Sequence, residues 1–383
     1  MEVYFDNAST SFPKPKIVAD SIYNYIVNVG GNANRSNHSH SLSSGRELFK
    51  ARENIASFFN YNKASNVIFT SNITISLNML IKGLLQKGDH VITSTMEHNS
   101  TLRPLNDCKT LYNIELDIVK ASPNGFISID SIKDSIKENT KLIILSHASN
   151  VTGSIQNLKE IGKLCKDLNI FFIIDTAQSA GAIDVDMINL NANAIAFTGH
   201  KSLLGPQGIG GFIIDDVLNE ACCPILSGGT GSLSSSMEQP KFLPDKFECG
   251  TLNMPGIVGL SNAIDFINKE GRDTICEKIK FLRKSLYNGL SNIDKISIYG
   301  SECDSTSCIS INYKDIDPSE FSYYLGENGI KTRSGLHCAP LAHKTINTYP
   351  NGTIRLSLSY FNNISEINYT LQTISKFNSN KAF

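Results

Sequence analysis

Nine cysteines are present but no Cys-x-x-Cys pair, which removes the usual ligand spacing of a structural zinc site, and no metal is expected. An odd count without regular spacing, in a chain of 383 residues, also argues against a disulfide framework. The N-terminus, Met1-Glu2-Val3-Tyr4-Phe5-Asp6, has neither a basic region nor a long apolar stretch, so no signal peptide is read there. The longest apolar runs, such as Ile170 to Ile174, fall far short of the ~20 residues a membrane-spanning helix needs. A cytoplasmic protein without a membrane partner is expected. The formal net charge of −1 offers no global attraction to nucleic acid. No Gly-x-x-x-x-Gly-Lys-Ser/Thr occurs, and no Gly-x-Gly-x-x-Gly follows the first strand, so readings as an ATP or dinucleotide binder lose their main support. Internal repeats and low-complexity linkers are absent too.

What is there is an alternation of short apolar runs and amphipathic stretches. Strands are predicted at Val67 to Thr70, His90 to Thr93, Leu142 to Ser146, Phe171 to Asp175, Ala194 to Thr198 and Gly211 to Ile214. Helical patterns such as Ile75 to Leu85 and Leu158 to Leu168 lie between them. That order predicts βαβ units and a mostly parallel sheet covered on both faces. After about residue 255 the texture changes. A long helical stretch, Ile257 to Asn288, leads to short strands near Ile296 to Tyr299, Cys308 to Asn312 and Gly352 to Tyr360, then a final helix. The expected division is a large α/β domain at 15–254 and a smaller α+β domain built from 1–14 and 255–383.

Ligands of open α/β sheets bind beyond the carboxyl ends of the strands. The residues there are Thr70 to Thr74, Met96 to His98, His147 to Asn150, Asp175 to Gln178 and Thr198 to Lys201, all polar clusters. Asp175 closes an apolar strand, either as a helix cap or as the buried partner of a protonated ring nitrogen. Lys201 follows a buried strand and a Gly-His turn, an unusual place for a lysine. Desolvation there would favour the neutral amine that Schiff-base chemistry requires. The glycine-rich segment Gly205 to Gly211 is either a plain tight turn or a close backbone approach around a cofactor. Asn72-Ile73-Thr74 opens a helix whose N–H groups could receive a phosphate, or are simply capped. His98 could stack on an aromatic ring or be structural.

The order of these motifs resembles the class V aminotransferase-fold enzymes that use pyridoxal 5′-phosphate, specifically the cysteine desulfurase and selenocysteine lyase branch. The resemblance runs from Tyr4-Phe5-Asp6-Asn7-Ala8 to Arg355-Leu356-Ser357. Its most specific pieces are Met96-Glu97-His98, Asp175-Thr176-Ala177-Gln178-Ser179, Thr198-Gly199-His200-Lys201 and Arg333-Ser334-Gly335-Leu336-His337-Cys338. It implies fold type I, with a seven-stranded-type sheet in the large domain. It implies that Lys201 carries the cofactor as a Schiff base and moves protons, that His98 stacks on the ring, that Asp175 pairs with the ring nitrogen, and that Gln178 bonds the phenolic oxygen. Asn150 would lie near that oxygen and the substrate carboxylate. Thr74, Thr198 and His200, with the backbone of Ile73, would bind the phosphate. Thr251 would reach the phosphate of a second subunit, which implies a homodimer with shared sites. Arg355 would hold the substrate carboxylate through a bidentate pair. Cys338 would be the nucleophile that takes up sulfur, with His337 in support, on a loop resembling the short, ordered form of the second desulfurase group.

Three departures look like those of a distinct subfamily. The phosphate turn reads Asn72-Ile73-Thr74-Ile75, where relatives often have a small-residue, Gly-Thr-Thr or Gly-Ala-Thr turn followed by Glu. The N-terminus is short, and Cys338 is followed by Ala339-Pro340-Leu341-Ala342-His343-Lys344. The expected reaction converts L-cysteine to L-alanine, leaving a persulfide on Cys338 for an acceptor protein. The rivals on the same scaffold are a selenocysteine lyase, a cysteine or cystine β-lyase and an aminotransferase. A rival of another class is a non-catalytic scaffold that binds a sulfur carrier. The polar segment Asn34 to Gly45, with His38 and His40, is expected as a loop, either flanking the site's mouth or merely solvated.

Overall fold

Seven of the chain's strands join one sheet, and the site is built on their carboxyl ends. The computed structural model describes residues 1–33 and 36–377. Its strands are β1 (Val3–Tyr4), β2 (Val67–Thr70), β3 (His90–Ser94), β4 (Glu115–Val119), β5 (Thr140–Ser146), β6 (Phe171–Asp175), β7 (Ala194–Thr198), β8 (Gly210–Ile214), β9 (Ile296–Tyr299), β10 (Cys308–Tyr313), β11 (Ile330–Lys331), β12 (Arg333–Gly335) and β13 (Thr353–Ser357). The large sheet runs β2-β8-β7-β6-β5-β3-β4. From β7 to β4 all neighbours are parallel, whereas β8 is antiparallel to both β7 and β2. Every residue of β3, β7 and β8 is buried, as are the last four of β6. Burial on both faces is why these segments read as unbroken apolar runs. The α/β class with a mostly parallel central sheet is as expected.

Strand β4 was not expected. It is an edge strand whose residues are mostly half-buried or exposed, so its sequence, Glu-Leu-Asp-Ile-Val, carries no continuous apolar run. The long helix expected over Ile257 to Asn288 is two helices, Met254–Glu270 and Arg272–Ser291, separated by Gly271 at φ +90°. Glycine takes that backbone region at little cost, and the break lets the second helix leave in a new direction. Residues 39–45 are not a loop. They open the helix Ser39–Phe58, capped by His38, whose side chain accepts the Ser41 N–H at 3.3 Å. Asn34 and Arg35 lie outside the described residues.

The smaller sheet runs β12-β13-β10-β9, all antiparallel. Its core gathers Phe5, Leu282, Ile309, Phe321, Leu356 and Ile374, among others. The first residues of the chain belong to this region, because β1 pairs in parallel with β11. Two short links carry β13 and its neighbours to the rim of the large sheet. Ser310 Oγ donates to Val151 O at 2.7 Å, and the Thr306 N–H donates to Gly153 O at 2.8 Å. Among the described residues no helix is long and apolar enough to cross a membrane.

Candidate active site

A cavity of about 230 Å³ opens over the carboxyl ends of β3, β5, β6 and β7. Its lining includes Ile73, Thr74, His98, Asn150, Asp175, Gln178, Thr198, His200, Lys201, His337 and Arg355. One pocket thus gathers residues from both ends of the chain, from Ala8 to Arg355. The parallel strands achieve this by ending in register. Ser146 of β5 sits opposite Asp175 of β6, and Asp175 sits opposite Ala196 of β7.

Lys201 enters this space from the turn after β7. Burial pulls its amine down to about 8, with the Asp175 carboxylate resisting that fall and the Arg355 charge adding to it. Asp175 is 4% exposed, and burial pushes its carboxyl up. Its Oδ1 accepts the Ala177 N–H at 2.8 Å, so the capping and the buried-partner readings hold together. His98 caps the helix Asn99–Tyr112, its Nδ1 accepting the Ser100 N–H at 3.0 Å. Burial, then the Lys201 charge, lowers the imidazole to about 4. A neutral ring with Nδ1 engaged as acceptor carries its proton on Nε2 and keeps a fixed plane.

Beneath His98 lies a carboxyl group that sequence reasoning passed over as part of a motif. Glu97 is fully buried, and burial pushes it up to about 7. It accepts Ser94 Oγ at 2.6 Å, Ser146 Oγ at 2.7 Å and the Ser146 N–H at 2.8 Å. Glu97 thereby ties the end of β3 to the end of β5 and fixes the start of the helix that His98 caps.

Arg355, on β13, is 1% exposed. One Nη1–H reaches Asn150 O at 3.1 Å, and Nη2 serves Asp6 Oδ1 at 3.0 Å and Ser9 Oγ at 2.9 Å. Ser9 also accepts from Arg333 Nη1 at 3.2 Å and donates to Asp6 at 2.7 Å. Ser9 was not singled out from sequence; a lone serine carries no signal there, although Tyr4 to Ala8 beside it did. Gln178 Nε2 donates to Ala8 O at 3.1 Å, which holds the N-terminal segment against the cavity.

Cys338 is exposed on the turn after β12 and is not among the cavity's lining residues. Arg333 Nη2 donates to its Sγ at 3.8 Å. His337 is buried, and its ring nitrogens face Arg333 O at 3.1 Å and His343 Nε2 at 3.3 Å. Thr251 is exposed and lies outside the cavity of its own chain. The glycines of Gly205 to Gly211 do not line the cavity either. A Cβ on Gly211 would stand 2.3 Å from Ile68 O, and one on Gly210 would stand 2.8 Å from Phe197 O. They relieve crowding within the sheet, rather than around a ligand.

Three buried polar atoms of the lining have no hydrogen-bond partner among the described residues: Thr198 Oγ1, His200 Nδ1 and Arg355 Nε. Such atoms are costly unless satisfied. The first two flank the first turn of the helix Ile73–Leu84, which Asn72 caps by accepting the Ile75 N–H at 3.1 Å. An anion at that end would satisfy them. The donor set therefore fits a phosphorylated ring compound bound between helix N-terminus and Lys201, and a carboxylate at Arg355.

A lysine and a carboxylate facing each other above a mostly parallel sheet, with an anion end and a carboxylate end, define a fold type I transferase. The chain belongs to the family described as Aminotransferase class-V, whose model matches residues 3–370. Enzymes of that family depend in general on pyridoxal 5′-phosphate. A protein described as a probable cysteine desulfurase from Methanothermobacter thermautotrophicus is 33% identical over 380 residues, covering 98% of this chain and 94% of that one. The structure of a cysteine desulfurase from Thermococcus onnurineus, described as an apo form, superposes with a TM-score of 0.93 at 30% identity, covering 98% of this chain and 94% of the other. An Escherichia coli cysteine desulfurase, described as an S-sulfonic acid form, gives 0.90 at 25% identity with the same coverage.

Proposed function

We propose that this protein is a cysteine desulfurase that uses pyridoxal 5′-phosphate to convert L-cysteine to L-alanine, leaving a persulfide on Cys338. The observation that carries the reading is the convergence of Lys201, Asp175, His98 and Arg355 in one cavity, with an exposed cysteine on the turn at Arg333. Relatives named for that activity along nearly the whole chain support it.

The phosphate would lie at the helix N-terminus, held by Thr74, Thr198, His200 and the Ile73 N–H. Lys201 would hold the cofactor covalently through its amine, and His98 would cover the ring on one face. Asp175 would keep the ring nitrogen protonated, with Gln178 and Asn150 near the phenolic oxygen. When bound, the cofactor supplies an electron sink for charge developing at the substrate's α-carbon. Arg355 would orient the substrate by a charge-assisted pair with its carboxylate, for which the unpartnered Nε–H is available. Lys201 would take the Cα proton on Nζ; an amine lowered to about 8 does so near neutral pH without a large penalty. Cys338 attacks the substrate sulfur as a thiolate. The sulfur–sulfur bond forms as the carbon–sulfur bond breaks, its electron pair stays with the β-carbon, and protonation of that carbon together with return of a proton from Lys201 Nζ to Cα gives alanine. An acceptor thiol then takes the outer sulfur from Cys338.

The wider setting follows from the same reading. A homodimer is proposed, with Thr251 of one subunit serving the phosphate of the other; its exposure outside its own cavity accords with that role. A cytoplasmic location accords with nine cysteines that are all free. A two-part organisation is proposed as well. Its proposed division is a large part at 15–254 and a smaller part from 1–14 and 255–383, with Ile257, Ile264, Ile275 and Ile279 packing in the same core as the large sheet. Cys338→Ala, assayed with L-cysteine and with L-selenocysteine, tests the reaction. Loss of turnover with cysteine but not with selenocysteine is expected, because selenolate leaves without help. Full cysteine turnover by Cys338→Ala would remove the nucleophile from the scheme.

A further inference from the structure

The turn that presents Cys338 is held in an unusual backbone state. His337 and Cys338 are consecutive non-glycine residues at φ +49° and +56°. Single left-handed residues are uncommon, and two in a row persist only where the surroundings fix them. Four bonds pin this turn. The Ala339 N–H donates to Leu336 O at 2.8 Å, the Asn99 N–H to Cys338 O at 2.8 Å, and Asn150 Nδ2 to His337 O at 2.7 Å. The fourth runs through the buried side chain of His337, 2% exposed, to Arg333 O.

That last bond requires one tautomer of His337, and a residue outside the site supports the same tautomer. Both His337 and His343 are buried and neutral, lowered by burial to about 2 and about 4. A neutral imidazole has one donor and one acceptor nitrogen. Arg333 O can only accept, so His337 Nε2 must carry the proton. His337 Nδ1 can then only accept, and the nitrogen facing it at 3.3 Å is His343 Nε2, which must donate. His343 Nδ1 is left as an acceptor, and the Thr348 hydroxyl supplies its proton at 2.7 Å. The competing acceptor for that hydroxyl, His343 O, is 3.5 Å away and already takes the Thr348 N–H at 2.9 Å. The chain Thr348–His343–His337–Arg333 therefore runs one way.

We infer that His343, with Thr348 behind it, is a positioning residue for Cys338: by donating to His337 Nδ1 it holds the His337 ring in the place and tautomer from which Nε2 clamps Arg333 O, and so holds the turn that aims the thiol. The inference rests on the proposed role of Cys338 as nucleophile. Neither His343 nor Thr348 lines the cavity.

The test compares His343→Leu with His343→Gln in the cofactor-loaded protein. Glutamine keeps an N–H donor where the imidazole Nε2 stood; leucine keeps only bulk. His343→Leu should lower kcat by about tenfold or more through misplacement of the nucleophile, with KM for cysteine within about twofold of the original. His343→Gln should restore most of kcat. In the cofactor-free protein, hydrogen exchange at residues 335–339 should be faster in the leucine variant and near the original rate in the glutamine variant. Should His343→Leu fail to fold, Thr348→Val serves instead, since it removes the hydroxyl paired with His343 Nδ1; the same pattern at smaller size is expected. Original kcat and original exchange in His343→Leu, or in Thr348→Val, would overturn the inference. So would a glutamine variant as impaired as leucine in both readouts. Cys338→Ala separates the two claims. If it keeps turnover, the nucleophile reading fails, and the exchange data still decide whether His343 holds the turn.

Discussion

Lys201 and Arg355 are charged side chains placed where charge is expensive, and each has a measurable consequence. Lys201 must be neutral to react, and burial places its titration near 8 rather than at the usual lysine value. Below that value the amine is mostly protonated, so cofactor uptake by the cofactor-free protein should quicken by about tenfold per pH unit up to about pH 8, then level off. A rise that continued to pH 10 would show that Lys201 is solvated like a surface lysine. Arg355 offers a planar fork that lysine lacks. Arg355→Lys should cost about 1.5–3 kcal/mol of carboxylate binding, roughly ten- to a hundredfold in kcat/KM, with cofactor binding unchanged. At this scale the sequence was legible where residue type and position were both unusual: a lysine after a buried strand, an aspartate ending one. It was silent on Ser9, Glu97 and His343, because their importance lies in partners that come from distant parts of the chain.

Elements were legible where burial was two-sided. Strands β6 and β7 read directly as runs of apolar residues, whereas the edge strand β4 did not, since half its side chains meet water. Breaks set by a single backbone angle were also hard to see, as Gly271 within the expected long helix demonstrates. Another such glycine supports the site. Gly181 has φ +86°, and a Cβ there would lie 2.2 Å from Ser202 O, next to Lys201. Gly181→Ala combines a disfavoured angle with a backbone clash. It should lower stability by about 2 kcal/mol or more in denaturant titration and slow cofactor uptake by shifting the turn at Lys201. An alanine variant with unchanged stability and uptake would show that the turn yields freely.

The whole molecule brings together ends of the chain that the sequence keeps far apart. Asp6 and Ser9 from the N-terminus meet Arg333 and Arg355 from the C-terminal region, and the large sheet supplies the rest. One proposed contributor, Thr251, would come from a second copy. Mixing Lys201→Ala with Thr251→Glu subunits tests this. Hybrid dimers would hold one intact site, so an equal mixture of two inactive variants should recover about a quarter of normal activity. No recovery, despite proven exchange of subunits, would place each site within one chain. The central claim is the fate of sulfur, and the most direct measurement follows it. The cofactor-loaded protein is incubated with L-cysteine, alanine is quantified, and the peptide carrying Cys338 is weighed by mass spectrometry without reduction. The account predicts alanine together with one added sulfur on Cys338. Pyruvate and ammonia in place of alanine, or alanine formed from selenocysteine alone with Cys338 unmodified, would contradict it.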